Sequence, residues 1–305
     1  MTLAAVRRLR VPRKALVVRL NRLFLSDGAA GIARFRRRSA AYGRAGLDVE
    51  IQVRYHPSPE QAGNLTAWTR YVRRVVDVLG ANPHVIAMTI TNEVNVAFSP
   101  NTSDGAYPAA EKALIEGVEA AHDQALRDHL SRLRFGFTYA YRFGPASDAA
   151  FFARLRTLGG IRFRRALGFV GLDFYPGTIF PSAVAPGGYR GALAQAAGVI
   201  RRCLAPRAGI GPGVPIWVTE AGVPTGKLSA SQQAAALSEL VRAAALSGTF
   251  GITDLRWFNL RDSIAPSPGA APPLFTTDGL LRADYSPKPA FGRFRVLIRR
   301  LGAGT

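Results

Sequence analysis

The chain is short of several things that would direct a reading elsewhere. It has one cysteine in 305 residues, Cys203, which excludes an internal disulfide framework and a cysteine-based metal centre. Cys203 lies in the apolar stretch "AAGVIRRCL", and a buried, inert thiol is expected there. No apolar run reaches the ~18 residues that a membrane span needs. The N-terminus, "MTLAAVRRLRVPRKALVVRL", has positive charge but no continuous apolar region followed by a small-residue cleavage site. The chain as written therefore reads as soluble and without an export signal, secreted only if an upstream start carries one. Acids are scarce too: 20 Asp and Glu against 40 Lys and Arg give a formal charge of +20. Such a balance raises nucleic acid or another anionic surface as a partner. The basic residues are nearly all arginine and are scattered, and the densest runs, "RFRRR" (Arg34 to Arg38) and "RYVRR" (Arg70 to Arg74), sit in amphipathic segments. Solvated helix faces explain them, so no nucleic acid is expected.

The remaining pattern is regular. Short β-branched runs alternate with longer helical segments, the mark of βα units and a parallel sheet. Strands are expected at 15–21, 48–55, 85–92, 134–141, 168–175, 215–220 and 254–260. Helices are expected at 30–45, 65–79, 109–130, 148–158, 191–204, 231–246 and 289–301. No G-x-G-x-x-G follows the first strand, so a dinucleotide fold is set aside. The fold class is α/β, a TIM (β/α)8-type barrel of which seven βα units are visible, in a single domain spanning 1–305. A barrel of this type has eight strands. Either the true start lies upstream or the barrel is incomplete, and two unpaired edges would then make the product unstable and aggregation-prone.

Chemistry in such barrels sits at the C-terminal ends of the strands. The residues there include Arg19, Asn21, Arg54, His56, Asn92, Glu93, Tyr139, Tyr141, Asp173, Tyr175, Glu220, Trp257 and Asn259. Two acids stand out. Glu93 follows the apolar run "VIAMTI" in "TNEVN", and Glu220 follows "PIWVT". A carboxylate at the end of a buried strand is costly unless it is satisfied by neighbours or has a task. Two of them facing each other across a cleft meet the requirement for cleaving a glycosidic bond. Asn92 is placed to orient a substrate hydroxyl, Tyr175 or Arg19 to hydrogen-bond a carboxylate, and Trp257 to stack on a sugar ring.

"TNEVN" followed by "WVTEAG", with "WFNLRDS" and "TTDGLLRADYSPKPAF" in the tail, resembles the retaining β-glycosidases of clan A. In those cellulase-like and mannanase-like barrels an Asn-Glu pair ends the fourth strand and a second Glu ends the seventh. Here the acids end the third and sixth visible strands, the same offset shifted by one. The resemblance implies Glu93 as general acid/base and Glu220 as nucleophile in a double displacement on a β-linked polysaccharide or oligosaccharide. It implies Asn92 as the hydroxyl-orienting partner, with His56, Tyr175, Arg19, Trp257 and Asn259 as supporting shell. "RYHP" around His56 suits a core-capping histidine equally well. No metal or organic cofactor is implied, the partner is a carbohydrate, and a monomer is expected. The rival readings are a barrel that binds glycans without cleaving them, and a basic protein docked on an anionic surface.

Overall fold

The computed structural model describes residues 1–26, 28–141, 145–179, 184, 187–246, 248–263 and 273–304. In chain order the elements are α1 (Thr2–Leu9), β1 (Val17–Leu23), α2 (Ala29–Arg44), β2 (Asp48–Arg54), α3 (Leu65–Gly80), β3 (Val85–Ile90), α4 (Ala110–Arg127), β4 (Arg134–Ala140), α5 (Pro145–Ala166), β5 (Phe169–Phe174), α6 (Gly188–Val199), the short α7 (Ala205–Arg207), β6 (Ile216–Ala221), α8 (Ala230–Leu246), β7 (Ile252–Trp257) and α9 (Pro289–Leu301). Each expected strand is present. Among the described residues they form one seven-stranded sheet in the order β1-β2-β3-β4-β5-β6-β7, with every neighbouring pair parallel.

Alternation along β2 shows how the sheet is buried on both faces. Val49, Ile51 and Val53 join the main core with residues of the surrounding helices, such as Trp68, Val72 and Val75 of α3. Glu50, Gln52 and Arg54 are buried too but point to the other face, where they meet Arg19 of β1 and, in the loop after β3, Asn92 and Asp104. The interior of the sheet is thus polar in its middle and upper layers. Its floor is an apolar plug of Ala87, Phe169 and Trp217, the two rings stacked at 3.9 Å.

Side chains of β7 reach β2 (Arg256 to Glu50, 2.6 Å) and those of β1 reach β6 (Arg19 to Glu220, 2.8 Å). The sheet is therefore curled like a barrel, yet β1 and β7 do not pair with one another. A second core of α1, α8 and α9 residues, among them Leu9, Leu237, Phe291 and Leu297, packs outside this seam. Between them a cavity of about 720 Å³ runs along both open edges, lined by residues from Ala15 and Ile252 at one end to Arg19, Glu220, Trp257 and Asn259 at the other.

Two expectations are corrected. Cys203 is exposed, not buried: α6 runs into a π-helical turn over Ile200–Leu204, and the extra residue per turn shifts the helix phase and carries the thiol outward. The arginines are not all surface residues either. Arg34, Arg36, Arg37 and Arg38 are exposed as expected, but Arg22, Arg54 and Arg256 are buried and Arg19 nearly so, three of these four in carboxylate pairs. No helix among the described residues is long and apolar enough to cross a membrane.

Candidate active site

The strand β3 stops at Ile90 because its backbone turns into a left-handed conformation. Thr91 has φ +66° and Glu93 φ +47°, costing on the order of 1–3 kcal/mol each for non-glycine residues. Buried side chains hold them there. Asp104 accepts from the backbone N–H of Asn92 and of Tyr55 (2.8 Å each), and from Arg54 Nε (2.8 Å). Thr138 Oγ1 accepts from the Glu93 N–H (2.9 Å), and Asn95 exchanges two hydrogen bonds with Ala140. Gly105, beside Asp104, has no room for a side chain, since a Cβ there would lie 2.3 Å from the Val94 carbonyl.

Glu93 and Glu220 emerge facing each other. One carboxylate oxygen from each of Glu93, Asp173 and Glu220 lies within 4.8 Å of the other two. Glu93 Oε2 accepts from Ser103 Oγ (2.7 Å). Burial first, then the charge of Glu220, pushes the Glu93 carboxyl up to about 7, against smaller opposing effects of Ser103, Arg54 and Arg19. Glu220 is held differently, with Oε1 taking Arg19 Nη1 at 2.8 Å and Oε2 taking the Tyr175 hydroxyl at 2.6 Å. Burial and the Glu220 charge raise the Tyr175 phenol well above its ordinary value, so it stays a donor. The two carboxyl groups thus have opposed surroundings, a hydroxyl donor and a neighbouring negative charge at Glu93 and a guanidinium with a phenol donor at Glu220.

Asp173 is a third carboxyl group, aligned with Glu220 in the β5–β6 register and buried. Oδ1 accepts from Thr219 Oγ1 (2.7 Å), and Oδ2 has no hydrogen-bond partner among the described residues. Burial and then the Glu220 charge push it well above the usual carboxylate range. Its protonated form is thereby favoured beneath the pair. Three acids so placed have the donor set for a cation, but both oxygens of Glu220 are already engaged and the Arg19 guanidinium is 2.8 Å away, which opposes a second positive charge.

The other expected site residues fall into two groups. Arg19, Tyr175 and Asn92 join the glutamates. The Asn92 Oδ1 accepts from Gln52 and from Thr138 Oγ1, and Nδ2 donates to Thr102 O (2.7 Å), which leaves one Nδ2 hydrogen for a ligand. Trp257 and Asn259 line the seam cavity beside Glu220, but the indole N–H is committed to Asp278 O (3.0 Å) and the Asn259 amide oxygen caps its own loop at Arg261 N (2.9 Å). His56 stands apart. Its ring bonds Tyr107 Oη (Nδ1, 2.9 Å), and burial followed by the Arg54 charge lowers its pKa. None of its hydrogen bonds among the described residues reaches either glutamate. Ser103, Thr138, Gln52 and Asp173 complete the site. Only Asp173 carried a sequence signal, as a strand-end residue.

Behind Trp257 lies a further buried acid. Neither oxygen of Asp278 has a hydrogen-bond partner among the described residues, and a Cβ on Gly222 would come 3.1 Å from Oδ1 and 2.5 Å from the Phe258 carbonyl. Burial, against the attraction of Lys288, pushes the Asp278 carboxyl up to about 8. A raised folded pKa stabilises the fold at low pH, and that contribution is lost as pH rises from the unfolded value toward 8. Asp278→Asn is therefore expected to gain melting temperature relative to the wild type progressively from pH 5 to pH 9, read by thermal denaturation.

No family model and no curated protein matches the sequence. The structure is similar to GH5_18 from Streptomyces cattleya, solved in complex with Manβ1-4GlcNAc, at TM-score 0.68 and 17% identity over 98% of this chain and 74% of that one. It is similar to an exo-β-1,4-mannosidase from Opitutaceae bacterium strain TAV5 at TM-score 0.68 and 15% identity, over 98% of this chain and 55% of that one. A GH1 β-glucosidase from Exiguobacterium antarcticum matches at TM-score 0.67 and 10% identity, over 98% and 85%. The chain thus shares the TIM-barrel-type fold of these glycoside hydrolases, with seven strands in its sheet among the described residues.

Proposed function

We propose that the chain is a retaining glycoside hydrolase acting on β-linked saccharides, its residues 1–305 forming one catalytic domain that works as a monomer. The observation that carries this reading is the approach of Glu93 and Glu220, one carboxylate oxygen of each lying within 4.8 Å of the other. Retaining enzymes need carboxyl groups about 5 to 5.5 Å apart, whereas inverting ones hold them roughly 6.5 to 9.5 Å apart to admit a water.

In the first step Glu220, ionised beside Arg19, attacks the anomeric carbon while Glu93 gives its proton to the departing oxygen. The bond between Glu220 and the sugar neutralises the carboxylate. Because the Glu220 charge is one of the causes that raise the Glu93 pKa, its loss favours Glu93 remaining as the carboxylate that proton donation has left. As a base it takes the proton of the incoming water, which releases the sugar with its configuration retained. The free Asn92 Nδ2 hydrogen serves the adjacent sugar hydroxyl, and Trp257 borders the cleft. The neighbours that bind Manβ1-4GlcNAc or act as a β-mannosidase put aryl β-mannosides first among the substrates to try, followed by glucosides and galactosides. Turnover of one of these, lost in Glu220→Ala and Glu93→Ala, tests the proposal.

The pH profile follows from the same geometry. The first step needs the Glu93 proton, so kcat/KM is expected to fall above pH about 7, and Glu93→Gln is expected to remove that alkaline limb. Initial rates between pH 4 and pH 9 check this. The seam between β1 and β7, bordered by Arg19 and Trp257, favours one rival, a barrel that binds glycans without cleaving them. Saturable glycan binding with no turnover by a cooperatively folded wild type would select it.

A further inference from the structure

Below the two glutamates lies a second buried charge system that the reaction does not use. Glu50 of β2 is fully buried and takes partners from three other strands. Thr89 of β3 donates its hydroxyl to Oε1. Arg19 Nε of β1 is 3.3 Å from Oε1 and Arg256 Nε of β7 is 2.6 Å from Oε2. Arg256 also pairs with Asp254 (3.2 Å) and lies over the Trp217 ring at 4.9 Å. One carboxylate thus ties together the two strands that border the open seam.

Arg19 is shared. Its Nε faces Glu50, and its Nη1 donates to Glu220 Oε1 (2.8 Å) and to the Thr219 carbonyl (3.2 Å). A guanidinium is planar with its donors in a rigid fork; here the Nη1 end is held by hydrogen bonds and the Nε end by the charge of Glu50, an ion pair without hydrogen-bond geometry among the described residues. Removing the lower contact frees a long side chain whose rotamers are otherwise locked, and the upper contact then loses its alignment. A buried carboxylate held by two guanidiniums is a costly way to fill space, and the plug of Ala87, Phe169 and Trp217 shows that apolar packing serves the same interior one layer lower.

We propose, resting on the glycosidase reading above, that Glu50 is a positioning residue that holds Arg19 against the nucleophile Glu220 and couples that contact to the seam strands β1 and β7. Glu220 is faced by Arg19 from β1, Glu93 from the loop after β3, Asp173 and Tyr175 from β5 and its end, and Asp278 from the loop after β7. Of these, Arg19 is the group joined to Glu50.

The test uses Glu50→Gln in the full chain. With an aryl β-glycoside that the wild type turns over, kcat is expected to fall about 10²-fold while KM changes less than about 3-fold, the signature of a misplaced reacting group. Glu50→Asp, which keeps the charge one methylene shorter, is expected to recover part of that kcat, and it carries the same test if Glu50→Gln fails to fold. A kcat left unchanged in Glu50→Gln, or a loss carried by KM, overturns the proposal.

A second readout needs no turnover and separates this inference from the function it rests on. In thermal denaturation, Glu50→Asp and Glu220→Gln are expected to be non-additive, and the non-additivity is expected to vanish when both are made in Arg19→Met. Additive shifts in the chain that keeps Arg19 overturn the positioning role even if no sugar is ever cleaved. Non-additivity in an inactive wild type upholds the Glu50–Arg19–Glu220 coupling while the glycosidase reading fails.

Discussion

Glu220→Gln is expected to lower kcat by about 10⁴-fold or more, the scale on which losing a covalent nucleophile is felt. The amide is nearly isosteric. Its oxygen still accepts from Arg19, and its nitrogen meets the Tyr175 hydroxyl, which turns from donor to acceptor. The fold should therefore survive, and an unchanged melting profile beside lost turnover separates chemistry from stability. Glu220→Ala opens space where the carboxylate stood. Azide added to it is expected to restore release of an activated aryl leaving group and to give the glycosyl azide of inverted, α configuration, since the anion attacks from the vacated face. Rescue that yields the β-azide would place the nucleophile elsewhere.

Glu93→Gln is expected to cost about 10²- to 10⁴-fold on substrates with poor leaving groups, the range for losing a positioned acid. The loss depends on the leaving group, because a dinitrophenolate departs without a proton. On the dinitrophenyl glycoside the first step should stay near wild-type rate while the second, which needs Glu93 as base, slows. A burst of one equivalent of dinitrophenol followed by a slow steady state is the expected trace. Equal losses on both substrates, with no burst, would remove Glu93 from proton transfer.

The strands and the two glutamates were legible because both depend on local pattern. A parallel strand buried on both faces reads as a short apolar run, and a carboxylate at its end breaks the pattern visibly in "TNEVN" and "WVTEAG". The partners were less so, because sequence does not show which strands a side chain meets across the interior. Glu50 looks like an ordinary polar alternation in "DVEIQVRY", and nothing local says that Arg19 and Arg256 converge on it. Ser103 lies in a loop ten residues after Glu93 and reaches it only because Asp104 anchors that loop to the Asn92 amide. The arginine count concealed more than it told. A charge of +20 reads as surface, whereas Arg19, Arg54 and Arg256 build the polar interior. For His56, sequence left a shell residue and a capping histidine open, and what local pattern does not show is that its ring meets Tyr107. The expected lack of one strand corresponds to the unpaired edges of β1 and β7 and the cavity between them.

The central claim is that Glu93 and Glu220 perform two displacements at one carbon. The most direct measurement is the anomeric configuration of the first-formed sugar, followed by proton NMR within the first minutes of hydrolysis of the best aryl β-glycoside. The account predicts the β-anomer, with the α-anomer appearing only later by mutarotation. The α-anomer formed first would mean a single displacement by water, and the assignment of Glu220 as nucleophile would be wrong.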